Sequence, residues 1–174
     1  MKKILCVLFA MCTVFTAMAK SVKDNKVAEL YDRMELKNLV DTFSVLADQK
    51  NTEAQKWLFT EDAVVDSYLG DQKVTSLVGR ENIGNAFGSY LALFDIVYHI
   101  NGQQTVKIEG NTAKGVAYCQ VVLIGNENGK KMMTTQGVYY DDEYVKQDGK
   151  WLIKHRTSHF TWRTQQEYVL PLKK

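Results

Sequence analysis

Long β-rich runs fill the C-terminal half of the chain, and the glycine-containing breaks between them restrict the possible folds more than any other feature. The breaks are Gly110-Asn111 and the segments 126–129 and 147–150. Glycine, asparagine and aspartate tolerate the left-handed backbone that tight hairpin turns need. The pattern therefore predicts four successive antiparallel strands. They run near Ile96–Glu109, Thr112–Ile124, Lys131–Lys146 and Trp151–Trp162.

Two apolar stripes precede residue 50, and they fall on nearly opposite helical faces. The first comprises Val27, Leu30, Tyr31 and Met34, and the second comprises Leu36, Leu39, Val40, Phe43 and Ala47. One straight helix cannot bury both stripes in one core. Asp32 and Glu35 resemble an N-cap with its capping-box acid. We therefore predict a short helix before Asp32 and a main helix from Arg33 to about Gln49.

Three further elements are predicted before the β-rich half. Thr52 with Gln55 repeats the capping signal and indicates a brief helix around Ala54–Phe59, and a strand follows near Ala63–Leu69. Gly79 precedes another helix, whose apolar residues are Ile83, Phe87, Tyr90, Leu91 and Phe94. Helices first and an antiparallel meander afterwards define an α+β domain. Its helices are expected to cover one concave face of a curved, mainly antiparallel sheet.

The first nineteen residues have the pattern of a secretory signal peptide. Lys2 and Lys3 form a basic end, residues 4–18 are almost wholly apolar, and Ala17-Met18-Ala19 closes the segment with a small-x-small pattern. The apolar stretch is shorter than the roughly 20 residues that span a bilayer core. We therefore predict a signal peptide over residues 1–19 and a periplasmic or secreted mature protein over residues 20–174, with no membrane contact after cleavage.

Charge and cysteine content exclude several kinds of partner. The chain has 22 Lys and Arg against 20 Asp and Glu, and removal of Lys2 and Lys3 leaves 20 of each sign. The basic residues form no stripe interleaved with aromatic residues, so no nucleic-acid partner is predicted. After cleavage Cys119 is the sole cysteine, which excludes an internal disulfide and a structural zinc site. Nucleophile-elbow, P-loop and Rossmann motifs are missing, and we predict neither a metal nor a cofactor.

The order of these elements resembles the SnoaL-like domains of the nuclear transport factor 2-like superfamily. Several short motifs in a fixed order carry the resemblance. They are Asp32-Arg33, Leu36, Leu39, Phe43, Asp48, Phe59-Thr60-Glu61-Asp62-Ala63, Gly79-Arg80-Glu81-Asn82-Ile83, His99, Gly110-Asn111-Thr112-Ala113 and Gly149-Lys150-Trp151-Leu152-Ile153. The resemblance implies one domain over residues 20–174 and a cone-shaped α+β barrel. It also implies a small-molecule pocket between the main helix and the sheet, and a homodimer formed through the sheet.

The resemblance also implies a catalytic pair. In the dehydratase branch, represented by scytalone dehydratase, an Asp at the end of the first long helix orients a His on a following strand, and Asp48 and His99 match those positions. An Asp that accepts one ring N–H fixes the imidazole tautomer and leaves the other nitrogen as a base. With an ordinary pKa of about 6.5, this base takes a proton alpha to a carbonyl near neutral pH. His99 is therefore the expected general base and Asp48 its orienting residue.

Other observations argue against a complete dehydratase site. The branch has a second catalytic His one strand later, but the strand Thr112–Ile124 contains no His. The dehydratase branch also has a pocket Tyr after the first strand, and the residue of this chain nearest to that position is Ser67. Tyr68 is one residue away, on the opposite face of the strand. Helical phase puts Asp48 off the centre of the apolar stripe from Leu36 to Ala47, toward solvent. A hydrogen-bonded interior His and a surface Asp are therefore the alternative to a functional pair.

The remaining polar clusters have structural interpretations. His155 and His159 share a predicted strand face with Trp151, but a separation of about 13 Å is too long for one metal ion. We expect both imidazoles to be partly exposed. Asp141-Asp142-Glu143 resembles a carboxylate cluster, but successive strand positions lie on opposite faces, so we expect a solvated edge. Asp66 is open to the same two interpretations. One of four tyrosines is expected to reach the pocket; they are Tyr118, Tyr139, Tyr140 and Tyr144.

These features predict an exported enzyme that performs cofactor-free lyase or isomerase chemistry of the dehydratase type on a small apolar molecule. The alternative is a noncatalytic small-molecule-binding or dimerisation module, because one fold hosts many functions. Geometry discriminates between the two. A His99–Asp48 hydrogen bond that opens onto an apolar pocket favours the enzyme, and a filled pocket favours the structural module.

Overall fold

The computed structural model describes the backbone of residues 2–169 and the side chains of residues 25–169. The chain divides into two units, Met1–Glu35 and Leu36–Lys174, and helix α1, Lys2–Asp48, begins in the first and ends in the second. The predicted signal peptide, residues 1–19, lies outside the described side chains. In the described part of the chain, no helix combines the length and apolar composition that a membrane span requires.

Helix α1 is continuous where we predicted a break at Asp32. The predicted break assumed that both apolar stripes are buried. The second stripe is buried, but the side chains of the first are 59–64% exposed; these are Val27, Leu30, Tyr31 and Met34. Arg33 also donates to Glu29 one helical turn away, over 2.7 Å. Because only one stripe needs a core, one uninterrupted helix satisfies the sequence, and the separate capping box is wrong.

Short helical elements lead from α1 to the sheet. Helix α2, Thr52–Gln55, is capped by Asn51, whose side chain accepts from the backbone N–H of Ala54. A 3-10 turn, Lys56–Leu58, replaces the rest of the predicted helix. The cap is Asn51 and not Thr52, so the helix begins earlier than predicted. Helix α3, Arg80–Leu91, follows Gly79 as predicted, and Gly79 adopts a φ of 85°, which glycine tolerates without strain.

Six strands form one mixed sheet. They are β1 (Phe59–Leu69), β2 (Gln72–Val78), β3 (Phe94–Glu109), β4 (Thr112–Glu127), β5 (Lys130–Gln147) and β6 (Lys150–Glu167). Their spatial order is β2-β1-β6-β5-β4-β3, and all neighbours are antiparallel except β1 and β6, which are parallel. The four long strands and β1 confirm the prediction. Strand β2 was missed, because its residues are almost all exposed and give little hydrophobic periodicity.

The sheet has an inner face that carries the core and an outer face turned away from it. Val65, Val97, Val121, Val138 and Ser158 mark the inner face, and Tyr68, Tyr98, Tyr118, Tyr139 and His159 mark the outer face. The core joins the inner face to the second stripe of α1 and to Ile83 and Leu91 of α3. Edge strands β2 and β3 do not pair, and α3 contacts both. The predicted α+β class is confirmed, with an open sheet in place of a closed barrel.

Two irregularities in β6 change the face on which its side chains lie. At the first, Tyr144 of β5 pairs with Ile153 and Glu143 pairs with His155, so Lys154 of β6 has no partner in β5 and is an extra residue. At the second, Val138 pairs with Phe160 and Gly137 pairs with Trp162, so Thr161 is an extra residue. A bulge of this kind reverses the alternation of side chains beyond it. Trp151 and Ile153 are therefore in the core, whereas His155 and His159 lie on the outer face. The prediction that these histidines share a face with Trp151 is wrong.

Candidate active site

The end of α1 and strand β3 bring Asp48 and His99 together. His99 Nδ1 lies 2.6 Å from Asp48 Oδ1, and the His99 backbone N–H donates to Asp48 Oδ2 over 3.2 Å. Both carboxylate oxygens are thus engaged by one residue, which orients the imidazole ring and attaches β3 to the helix end. The Asp48 side chain is 26% exposed. Asp48 is therefore only partly exposed and contacts His99 directly.

His99 lines a cavity of about 460 Å³, which we call the inner pocket. Its walls come from α2, α3, β2 and the inner face of the sheet. The apolar lining comprises Val65, Leu69, Val74, Leu77, Ala86, Phe87, Leu91, Val121, Leu123 and Phe160. The polar lining comprises Gln55, Ser67, Thr75, Tyr90, His99, Gln136, Tyr140, Ser158 and Arg163. A cavity of this size, mainly apolar with a few polar groups, is typical of small-molecule sites.

Burial controls the protonation state of His99. Its side chain is only 8% exposed, and the loss of hydration lowers the pKa of His99 below the ordinary value. The hydrogen bond and the charge of Asp48 raise this pKa, and the positive charge of Arg156 lowers it, with a net decrease. The ring is therefore neutral at pH 7. Since a carboxylate only accepts, Nδ1–H donates to Asp48 and Nε2 is left as an unprotonated base.

A buried ion pair stands next to the pocket. Arg156 Nε and Nη2 donate to the two carboxylate oxygens of Asp142 over 2.8 and 2.7 Å, and both side chains are buried. The guanidinium lies over the rings of Phe43 and Tyr140, 4.3 and 4.1 Å from their centroids. Burial alone would lower the pKa of Arg156, but Asp142 raises it above the ordinary value. Arg156 therefore stays charged, and Asp142 neutralises this charge within the core beside the pocket.

Two buried polar atoms around the site lack a hydrogen-bond partner among the described residues. Gln55 Nε2 donates to the Phe43 carbonyl over 2.9 Å, which leaves Gln55 Oε1 unpaired in the pocket wall. Arg156 Nη1 is unpaired as well. A buried polar atom without a partner is unfavourable by about 1–3 kcal/mol. A bound molecule that donates to Gln55 would remove part of this penalty.

One of the four candidate tyrosines reaches the pocket, and it is Tyr140. Burial strongly raises the pKa of Tyr140, so its hydroxyl remains a donor. Tyr144 is buried and donates to Asp142 over 2.8 Å. Tyr118 and Tyr139 contact one another on the outer face. Ser67 also lines the pocket, on the face predicted from its position in β1.

The remaining candidates lie on the outer face, with one exception. His155 Nε2 is 3.2 Å from Asp66 Oδ2, and His159 Nε2 is 3.2 Å from Asp141 Oδ2. Both imidazoles are partly exposed, as predicted. The exception is Asp142, which pairs with Arg156 in the core, so a fully solvated Asp141–Glu143 edge is wrong. Among residues 25–169, no group of three or more His, Cys, Asp or Glu side chains is arranged to hold a metal ion.

Sequence reasoning missed most polar residues of the site. Those that line the pocket are Gln55, Thr75, Tyr90, Gln136, Ser158 and Arg163, and Arg156 lies beside the pocket. Gln55 was assigned to a helix cap and Tyr90 to an apolar helix face. The available signal for Arg156 was a cation within an apolar strand, since a buried charge requires a partner. Its face could not be deduced without the irregularity at Lys154.

An α+β domain with helices on one face of an open sheet and a pocket between them has the architecture of the nuclear transport factor 2-like superfamily. Residues 28–157 match the family model of the SnoaL-like domain, and the chain belongs to this family. An uncharacterized protein of Mycobacterium tuberculosis (strain ATCC 25618 / H37Rv) is 28% identical over 133 residues, 75% of this chain and 86% of that protein.

Solved structures show the same fold at low sequence identity. A scytalone dehydratase-like protein of Novosphingobium aromaticivorans is 20% identical with a TM-score of 0.66, over 82% of this chain and 91% of that one. A hexachlorocyclohexane dehydrochlorinase, LinA type 2, is 13% identical with a TM-score of 0.70, over 83% of this chain and 97% of that one. At these identities the likeness establishes the fold.

Proposed function

We propose that this protein is an exported enzyme that performs a cofactor-free β-elimination or double-bond shift on a small, largely apolar molecule. One observation carries the proposal: a buried, neutral His99, oriented by Asp48, lines an apolar cavity. Two structural neighbours add support, because one is named for its likeness to scytalone dehydratase and the other is a dehydrochlorinase, and both names denote eliminations.

In the proposed reaction, His99 Nε2 takes a proton from a carbon beside an electron-withdrawing group. In an elimination, the C–H electron pair becomes a double bond while the bond to a leaving group on the next carbon breaks. In a double-bond shift no leaving group departs, and the C–H electron pair moves into the neighbouring unsaturated group. Asp48 stabilises the imidazolium that forms. The imidazolium then returns its proton to the leaving group, or to another carbon in a double-bond shift. Positioned acid–base catalysis of this kind contributes about 10²- to 10⁴-fold.

A module that binds a small molecule without turnover is the second candidate. The inner pocket supports it, because binding needs the cavity but not an unprotonated base. A purely structural module has no such support, since the cavity is not filled by side chains. The two candidates differ in whether a proton leaves the bound molecule.

Proton exchange separates enzyme from binding module. The protein is first screened by thermal shift against sterols, aromatic polyketides, keto-sugars and terpenoids, because a ligand of the folded state raises the melting temperature. Each ligand found is then incubated with the protein in D₂O and followed by NMR. We expect deuterium to enter one carbon, or product to appear. Ligands that bind but neither exchange nor react between pH 5 and 9 would establish the binding module.

Export is part of the proposal and is tested separately. The basic Lys2-Lys3 end and the Ala17-Met18-Ala19 motif support cleavage before Lys20. Intact-mass analysis of protein recovered from the periplasm or medium should give a chain that begins at Lys20. A cell-associated chain that retains Met1 would rule out the periplasmic or secreted location.

A homodimer through the outer face is proposed as the assembly. Large apolar side chains on this face are 46–53% exposed; they are Ile96, Tyr98, Ile100, Tyr118 and Trp162. Exposed apolar surface of this kind typically marks an interface. Light scattering at micromolar concentration should give twice the chain mass, and a monomer mass would contradict the proposal.

A further inference from the structure

One row of residues crosses the inner face from the proposed base to an arginine. His99 pairs with Val121, Val121 with Gln136, and Gln136 with Arg163, and all four line the inner pocket. Neighbouring strands are about 4.8 Å apart, so the row extends roughly 14 Å from β3 to β6. The pocket therefore has a basic imidazole at one end and a guanidinium at the other.

Arg163 has no acidic partner among the described residues. No Asp or Glu lines the inner pocket, and the hydrogen bond of the Arg163 side chain goes to Thr134 Oγ1 at 3.5 Å. This differs from Arg156, whose charge is neutralised by Asp142. Because His99 is neutral at pH 7, Arg163 leaves the lining of the pocket with a net positive charge. An anionic group of a bound molecule would compensate this charge.

Two further donors accompany Arg163. Tyr90 hydrogen-bonds with Gln136 and lies close enough to Arg163 to be influenced by its charge. Burial raises the pKa of Tyr90, so its hydroxyl keeps the proton. The guanidinium, the Gln136 amide and the Tyr90 hydroxyl therefore meet at one end of the pocket. A carboxylate, with two acceptor oxygens in one plane, matches the planar fork of an arginine.

We propose that the inner pocket binds a molecule with one carboxylate, held by Arg163, and an apolar body that extends past Val121 toward His99. This assignment names the substrate class of the proposed function and rests on it for the reacting end. The cavity of about 460 Å³ limits the apolar body to a few rings or a short chain. The carboxylate and the carbon that His99 deprotonates lie at opposite ends of the substrate.

Matched acids and amides test the assignment. Calorimetry on the full chain at pH 7.5 and low salt compares phenylacetate, 3-phenylpropionate and 2-naphthylacetate with their primary amides. We expect at least one acid to bind ten-fold more tightly than its amide. Arg163→Gln should remove this difference and leave amide affinity within two-fold, and Arg163→Lys should keep part of it. Lys150→Gln, which removes an exposed cation from the same strand outside the pocket, is the control and should behave like wild type.

The opposite results are equally clear. If no acid binds more tightly than its amide, or if Arg163→Gln leaves the ratio unchanged while its melting temperature is retained, Arg163 is not a carboxylate anchor. His99→Ala should keep the acid preference, because the imidazole lies at the other end of the row. If the wild-type protein shows no preference for acids over amides, only the substrate class is overturned. If His99→Ala keeps wild-type turnover, only the acid–base function is overturned.

Discussion

Two His–carboxylate pairs occupy opposite faces of the same sheet, with the same residue types in different surroundings. On the inner face, His99 is 2.6 Å from Asp48, is 8% exposed and lines a cavity. On the outer face, His155 is 3.2 Å from Asp66 and is 37% exposed. Asp48 gives both oxygens to His99, whereas Asp66 also binds Lys73 over 3.0 Å.

The comparison separates what a general base requires from what an ion pair provides. Burial opposes ionisation of Asp66, but hydrogen bonds from Ser76, Lys73 and His155 hold its pKa below the usual range. Asp66 is therefore a shared counter-ion and not a dedicated orienter. His99 combines one orienting carboxylate with desolvation and with access to a pocket. These surroundings, more than the pairing itself, make His99 the candidate base.

The largest expected difference is between the variants that remove the inner and the outer imidazole, His99→Ala and His155→Ala. His99→Ala should lower the single-turnover rate about 10²- to 10⁴-fold, because the base itself is lost. His155→Ala should stay within two-fold of wild type. Melting temperatures of both variants check that the domain is folded. Near-wild-type turnover in folded His99→Ala would remove the difference between the two faces.

The carboxylates give the next contrast. Asp48→Asn keeps the imidazole but allows the wrong tautomer, and substitution of the orienting Asp in serine proteases shows how large that effect can be. We expect a loss of at least 10²-fold, no larger than that of His99→Ala, and no loss for Asp66→Asn. The double variant His99→Ala/Asp48→Asn should be scarcely slower than His99→Ala alone, since residues that act as a unit are not additive. Additive losses would show that Asp48 acts independently of His99.

The pH profile sharpens the comparison further. Burial lowers the pKa of His99, so the base is unprotonated at neutral pH and kcat/KM should fall about ten-fold per pH unit below an inflection under 6.5. Asp48 raises this pKa, so Asp48→Asn should move the inflection to lower pH. His155→Ala should leave it in place. An inflection above 6.5 would contradict a desolvated base.

Stability should show the smallest difference. The unfolded chain binds a proton at His99 more readily than the folded chain, so the stability that neutral His99 contributes is lost as pH falls from about 6.5 through the lowered pKa. His155→Ala removes a partly exposed pair and should change the free energy of unfolding by about 1 kcal/mol or less. Urea unfolding at pH 7 and pH 5 measures both effects. A loss of several kcal/mol in His155→Ala would show that the outer pair is a structural element.

The long elements could be predicted because their signals are local. Turn residues at Gly110-Asn111 and Gly149 mark the ends of strands, and the stripe from Leu36 to Ala47 marks the buried face of α1. Strand β2 gave no such signal, since its pairing with β1 depends on neighbours and not on its own burial. The break predicted at Asp32 failed because sequence alone does not tell which apolar stripe is buried.

Within the candidate site, the His99–Asp48 pair could be named in advance from the resemblance, and Tyr140 only as one of four candidate tyrosines. The rest depends on register. Single extra residues at Lys154 and Thr161 decide that Arg156 and Arg163 point to the inner face while His155 points outward. No composition or periodicity signal marks either position. The residues of a site that is assembled across several strands are therefore the hardest part of such a chain to predict from its sequence.

The parallel contact of β1 with β6 has a kinetic consequence. Val65 on the first strand pairs with Arg156 on the last, 91 residues later. Closing so long a segment costs entropy before the pairing stabilises anything, and folds with distant partners form slowly. The β1–β2 hairpin, one wall of the inner pocket, can join the sheet only after β6 exists. The cavity is thus completed only after β6 has joined the sheet, and a chain that lacks β6 has no place to bind a ligand.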